Sequence, residues 1–317
     1  MIGAIMSANN SPTIPLITSN TPLRPAVQAW EMYLKDQGKS HYTIKAFIGD
    51  LMLLSSYLPP DKSLGSVTTA DLNHFLDWLI HGRGISCSPK SFARRITSIK
   101  SFFRWLSKYG AVIADPAEKV VQKSVISPLP EVLTPEEEQK VIETAMQQRT
   151  AAKNPDVRPY TLVSLLLSTA IKKGECLSIK QNHIDLEASG GPVLFVRYTN
   201  PAYRYKERKI ALSSDWVEAY QEYLAQYQPA DQVFPWSSRR LEYLLEDLGK
   251  AAGLSKHLSF DMCRWTGALD DWRSNMDRDA IRQKLGISKV QWREINLKLR
   301  RLAGETIEEQ KEEPTQA

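Results

Sequence analysis

Cysteine is scarce in this chain. Cys87, Cys176 and Cys263 are the only three in 317 residues, an odd number set far apart. That excludes a disulfide scaffold, and none lies near a second cysteine or a histidine at a metal-ligand spacing, so no metal site and no cofactor are expected. A reducing cytoplasm is the expected compartment, with association to the nucleoid if the source is prokaryotic. No apolar run approaches the roughly 18 residues a membrane span requires, so no membrane partner is expected. The five histidines are scattered, and His41, His74, His81 and His183 read as surface or helix-end residues. No internal repeat is present. The opening MIGAIMSANNSPTIPLITSNTP has no basic stretch before a sustained apolar one and reads as a disordered tail rather than a targeting signal.

Charge of one sign is unevenly spread. The formal total is +5, but Glu305 to Ala317 holds five glutamates and one lysine, a net of −4, which leaves +9 on everything before it. A basic body with an acidic end points toward a polyanionic partner, and distribution matters more than the total. The length suits two domains. The expected division is a tail over 1–21, a helical domain over 22–110, a linker over 111–131, a mixed domain over 132–304 and an acidic tail over 305–317.

Apolar positions at helical spacing mark four helices between residues 23 and 109: Val27/Trp30/Leu34, Phe47/Leu51/Leu54, Leu72/Phe75/Leu79 and Phe92/Ile96/Ile99/Phe103. Breaks fall at Gly38, Pro59-Pro60 and Gly82 to Gly84. Thr68 or Thr69 can cap the third helix, and Ser88-Pro89 opens the fourth in cap-then-proline order. The stretch ADPAEKVVQKSVISPLPEVL carries no helical stripe and reads as linker. Thr134-Pro135-Glu136-Glu137 is a strong helix start, with a cap, proline at the first helical position and acid at the positive end of the dipole. Helices are expected at about 136–149 and 158–170, strands at 194–198 and 209–212, and further helices after them.

The fourth helix separates its chemistry by face. On a helical wheel Lys90, Arg94, Lys100, Arg104 and Lys108 fall within an arc of about 120°. Phe92, Ile96, Ile99, Phe102, Phe103 and Leu106 lie opposite. No Asp or Glu occurs between Lys90 and Lys108, so the stripe lacks the i,i+4 partners of an ordinary solvated face. It is a candidate surface for phosphates.

Several motifs together resemble the tyrosine recombinase, or phage integrase, family over roughly residues 23–300. Ala114 to Val120 is similar to the family's interdomain "NPA" segment, and Pro130 to Glu137 to its "P..LT.EE" opening. Leu165 to Glu175 resembles "LL..TGLR.GE", Ile184-Asp185 falls at "DID", Lys206 to Leu212 resembles "KER.VPL", and Leu285-Gly286 matches the start of "LGH". The resemblance implies a mainly α fold with a small β-hairpin or sheet: a helical, SAM-like core-binding domain followed by a recombinase catalytic-like domain. It also implies double-stranded DNA as the partner.

The family's reaction is attack by a tyrosine on a phosphodiester, which needs a nucleophile, a clamp for the developing charge and an acid for the leaving oxygen. The clamp uses two arginines because a guanidinium fork grips two oxygens and keeps its charge. At the matching positions this chain has Lys172 and Cys263 for the arginines, Phe260 for the first histidine, Tyr203 for the hairpin lysine, Ile287 for the "LGH" histidine and Asn296 for the nucleophile. No tyrosine follows Tyr243. The expectation from these replacements is a pseudoenzyme, a protein that binds duplex DNA without cutting or rejoining it. Two alternatives stand beside it: an active site-specific recombinase with unusual chemistry, and a regulatory subunit paired with an active recombinase.

The expected phosphate contacts are the fourth-helix cations Lys90, Arg94, Lys100, Arg104 and Lys108, with Lys172, Lys173, Arg204, Lys206, Arg208 and Arg264 in the second domain. His257 lies three residues before the first-histidine position. Trp265, Trp272 and Trp292 are expected to pack. The amphipathic stretch Val290 to Leu302 is expected to dock on a second copy or a recombinase partner through Val290, Ile295, Leu297 and Leu299.

Overall fold

The computed structural model describes residues 17–121 and 128–305. Most of the expected N-terminal tail, the middle of the linker and the acidic end after Glu305 lie outside the described residues. The chain divides into two compact units between Pro128 and Leu129.

The first unit is helical: α1 (Leu23–Asp36), α2 (His41–Tyr57), α3 (Thr69–Asp77) and α4 (Pro89–Lys108). Their starts are written locally. The Ser40 hydroxyl accepts from Thr43 N–H at 3.1 Å, and Ser88 does the same for Ser91 at 3.3 Å. Thr68 and Asp71 exchange a reciprocal capping box at α3. The apolar stripes read from the sequence meet in one core, where Trp30 stacks on Phe47 at 5.9 Å and meets Phe102 edge-on at 5.4 Å. α3 does not stop at Gly82 as an ordinary helix end would. It widens into a five-residue π turn, Trp78–Gly82, which keeps Leu79 buried.

The second unit begins with α5 (Pro135–Arg149), capped by the expected Thr134–Glu137 box, and α6 (Arg158–Thr169). A short α7 (Lys173–Leu177) leads to a three-stranded antiparallel sheet, β1 (Ile184–Asp185), β2 (Val193–Val196) and β3 (Arg208–Ala211), in that order. The two expected strands start one residue earlier than read, and β1 is added because two residues are too few to show alternation. Register pairs Leu194 with Ile210 on the buried face and Phe195 with Lys209 on the other, where the ammonium lies 4.9 Å from the ring centre. Then follow α8 (Ser214–Tyr227), α9 (Ser238–Ala251), α10 (Phe260–Arg273), α11 (Arg278–Lys284) and α12 (Lys289–Leu302). Among the described residues no helix is long and apolar enough to cross a membrane.

α6 is the spine of this unit. It is buried nearly all round, and α10 crosses it at Gly267, where an added Cβ would stand 2.0 Å from the Leu167 carbonyl oxygen. Only glycine permits that approach, and the approach fixes what α10 presents next to the end of α6.

A candidate phosphate site in each unit

Five side chains converge beyond the end of α6. The helix stops at Ala170, whose φ of 50° is left-handed, a conformation that costs a residue with a Cβ about 1–2 kcal/mol. This turn brings Lys172 and Glu175 against the sheet and α10. Glu175 is the anchor. Arg208 donates to both of its oxygens, Nη1 to Oε1 at 3.1 Å and Nη2 to Oε2 at 2.9 Å. The Tyr198 hydroxyl donates to Oε1, and the Lys172 backbone N–H donates to Oε2 at 2.8 Å. Burial alone would raise this carboxyl, but four donors outweigh it and hold its pKa down to about 2. The same phenol is pushed above its ordinary pKa by burial and by its bond to Glu175.

Arg208 also ties the sheet to the end of α11, donating from Nε to the Lys284 carbonyl at 2.6 Å. Gly286 is required beside it. Its φ is +59°, and a Cβ would lie 2.4 Å from Arg208 Nη1. Arg264 donates to the Ala170 carbonyl and, at 2.8 Å, to the Leu285 carbonyl, so it is a half-buried brace between α6 and α11. Desolvation lowers its pKa to about 10. Lys172 donates to the Gly286 carbonyl at 3.3 Å.

The pocket left in front of this brace holds about 500 Å³ and is lined by Lys172, Lys173, His257, Ser259, Asp261 and Arg264, with Phe260 and Glu242. The structure therefore brings together three of the expected cations, Lys172, Lys173 and Arg264, and adds His257, which the spacing alone had set aside. Lys173 is paired with Glu242 at 2.7 Å. Arg204 and Lys206 sit on the connection between β2 and β3, where Lys206 lies over Tyr203 at 4.6 Å and Tyr205 at 5.3 Å. Arg208 is only 8% exposed and its guanidinium is committed inside the domain.

The positions that differ from the family's pattern fall in different environments. Phe260 and Ile287 are buried, Tyr203 is exposed, and Asn296 is half-buried on α12. Cys263 is fully buried, and desolvation pushes its thiol up to about 12, so it is not a thiolate near neutrality. Trp272 is buried, and its ring centre lies 6.4 Å from that of Trp292; Trp265 is partly buried in the same cluster. α12 packs on its own domain through Trp292, Ile295 and Leu299, leaving Val290 and Leu297 exposed.

In the first unit α4 presents the expected stripe, but unevenly. Lys90, Arg104 and Lys108 are exposed, and Lys100 is partly so. These four meet no carboxylate among the described residues, although Lys100 approaches the Glu118 carbonyl at 3.4 Å. Arg94 differs, because its guanidinium is bound to Asp50 Oδ2 at 2.5 Å and to the Ala46 carbonyl at 2.9 Å. A partner came from another helix, which the local absence of acid in α4 could not reveal. The usable signal was an aspartate on the apolar α2.

Comparison with known proteins bears on the family and the fold. Residues 27–110 match the family model described as the phage integrase N-terminal SAM-like domain, and residues 131–294 match that of the phage integrase family. A tyrosine recombinase XerC of Lacticaseibacillus casei is 25% identical over 289 residues, covering 85% of this chain and 92% of its own. A tyrosine recombinase XerD of Listeria innocua is 22% identical over 274 residues, covering 82% and 89%. Among solved structures, a lambda integrase dimer bound to a COC′ core site superposes with a TM-score of 0.68 at 17% identity, covering 87% of this chain and 95% of that one. A XerH recombinase bound to palindromic difH gives 0.66 at 18%, covering 90% of each.

These relatives correct one expectation. The chain is expected from its replaced residues not to be an enzyme, but the relatives spanning most of its length are named as recombinases, which are enzymes. Lys172, Tyr203, Phe260, Cys263, Ile287 and Asn296 describe positions and do not by themselves describe an activity. The helical SAM-like unit, the mixed unit behind it and the two matching family models place this chain in the phage integrase family, the tyrosine recombinases.

Proposed function

We propose that this protein binds duplex DNA as a subunit of a site-specific recombination assembly. The observation that carries the reading is the pocket lined by Lys172, Lys173 and Arg264, with Arg264 held by the Ala170 and Leu285 carbonyls. Preorganised cations on a stiff frame suit a phosphate, whose charge dominates affinity for duplex DNA. Lys90, Lys100, Arg104 and Lys108 supply further phosphate contacts from α4, and Arg204 and Lys206 from the hairpin connection. Arg94 and Arg208 act indirectly, by holding the elements that carry the others. The names of the relatives support the reading, as do solved neighbours that include a lambda integrase tetramer bound to a Holliday junction. Val290 and Leu297, left exposed on α12, are the surface offered to another subunit.

A second reading, strand cleavage by this chain itself through unusual chemistry, is favoured by the relatives' names. Titration of the purified protein against random and genomic duplexes across a salt series, with denaturing gels on the same mixtures and a nicked suicide substrate, tests both. Salt-sensitive retention of the duplex supports the DNA-binding reading, whether or not the strands are cut. A covalent adduct or cut strand establishes the second reading, and no retention at low salt overturns the first.

A further inference from the structure

The pocket holds its charges out of balance. Lys172 lies between α6 and α7 with its ammonium partly buried, and the carboxylate it meets among the described residues is Glu175, 3.9 Å away. That carboxylate is already shared among Arg208, Tyr198 and a backbone N–H. Three other cations, Arg264 from α10, Lys206 from the hairpin connection and Arg208 from β3, lie within electrostatic reach of the ammonium and disfavour its charge. Glu175 is already matched by Arg208, so among the described residues neither Lys172 nor Arg264 has a carboxylate of its own. Farther along the wall Lys173 is paired with Glu242, and Asp261 and His257 complete the titratable groups.

Arginines cannot relieve such an imbalance near neutral pH, because they keep their protons. A lysine can. Burial first, and then the crowding by Arg264, Lys206 and Arg208 against a partial gain from Glu175, lower the Lys172 pKa to about 8.

We propose that a DNA phosphate entering this pocket draws a proton onto Lys172, so that duplex binding is coupled to proton uptake at this one side chain. The inference rests on the DNA-binding reading above and deepens it. The phosphate oxygens supply the negative charge that the pocket lacks, so the ammonium is favoured in the complex and disfavoured in the free protein. The proton comes from solvent, and no bond other than N–H is made or broken. Lysine at this place turns a constant clamp into a titratable one. Because the bound-state pKa is the higher, the contribution to affinity is complete below the free-state value and declines as pH rises through it.

Calorimetric titration of the full-length protein with a short random-sequence duplex, at fixed salt and in two buffers of different ionisation enthalpy, counts the protons. At pH 8 the wild type takes up about half a proton more than K172R or K172M. From pH 8 to 9 its affinity falls about fivefold, while the profile of K172R is flatter. Thermal unfolding confirms that both variants are folded. Equal uptake in wild type and K172R overturns the proposal, as does loss of the uptake in H257Q instead, which would assign the proton to the imidazole. No duplex binding by the wild type at low salt overturns the DNA-binding reading and takes this inference with it, so the two failures are told apart.

Discussion

Asp50 in the first domain and Glu175 in the second are buried to nearly the same extent, 4% and 3% exposed, and both face arginine, yet their carboxyl groups shift in opposite directions. Asp50 is raised because desolvation exceeds everything that opposes it. Its two hydrogen bonds, from Arg94 and from Ser98 at 2.8 Å, both fall on Oδ2. Oδ1 has an ion contact with Arg95 Nε at 3.6 Å, and that nitrogen is buried with no hydrogen-bond partner among the described residues. Glu175 has two donors on each oxygen and is lowered to about 2. Burial sets the size of the penalty, and the number of well-aimed donors decides whether it is overcome.

The pH consequences differ in sign. Glu175 has a folded pKa below its ordinary value, so its contribution to stability is present above the usual carboxylate range and is lost as pH falls toward 2. Asp50 has a folded pKa above its ordinary value, so its contribution is complete below the usual aspartate range and declines as pH rises through the folded value.

The largest test of this contrast is E175Q. It leaves Arg208 buried without a countercharge and is expected to cost about 3–5 kcal/mol in urea unfolding at neutral pH; a loss under about 1 kcal/mol would show the network to be dispensable. Next comes the contrast between exposed and committed cations. K100A/R104A/K108A is expected to reduce duplex affinity roughly tenfold to a hundredfold at low salt, and to lower the salt slope by about 2 to 3, with stability nearly unchanged. R94A, by contrast, should lower the unfolding midpoint, because it removes the guanidinium bound to Asp50 at 2.5 Å and leaves Ser98 as the hydrogen-bond donor. A stable R94A with a large binding defect would place Arg94 on DNA after all.

D50N is expected to cost no more than about 1 kcal/mol, because an amide removes the desolvation penalty while still accepting from Ser98 and Arg94. It should also flatten the stability profile in the weakly acidic range. A cost equal to that of E175Q would make the two sites equivalent. The smallest effect is A170G, which relieves a left-handed alanine at the turn carrying Lys172 and is expected to stabilise by about 0.5 kcal/mol, net of the flexibility glycine adds to the unfolded chain. The readout is a raised denaturant midpoint at constant slope.

Much of the architecture was legible because it is local. The boxes at Thr68 and Thr134, the Ser88-Pro89 start and the apolar stripe of α4 depend on residues within a few positions of one another, and all stand where the periodicity put them. The motif at Leu165 to Glu175 likewise marked the turn into Lys172. Roles that depend on distant partners were not legible. Arg94 and Arg208 look alike in the sequence to Arg104 and Arg204, and only the arrival of Asp50 and Glu175 from other elements separates them. His257 stands three residues before the first-histidine position in the sequence, yet it lines the pocket together with Ser259 and Asp261.

The sequence by itself determined the two-part organisation, the mainly helical fold, the family and the cationic face of α4. Each follows from periodicity, capping or motif spacing along one segment. Tertiary structure alone decided which cations are free to meet a phosphate, which carboxylate is held ionised, and that Lys172 shares its carboxylate with Arg208. Electrostatic energy depends on distance and desolvation in space, and those are fixed only when α6, the sheet, α10 and α11 close around one another.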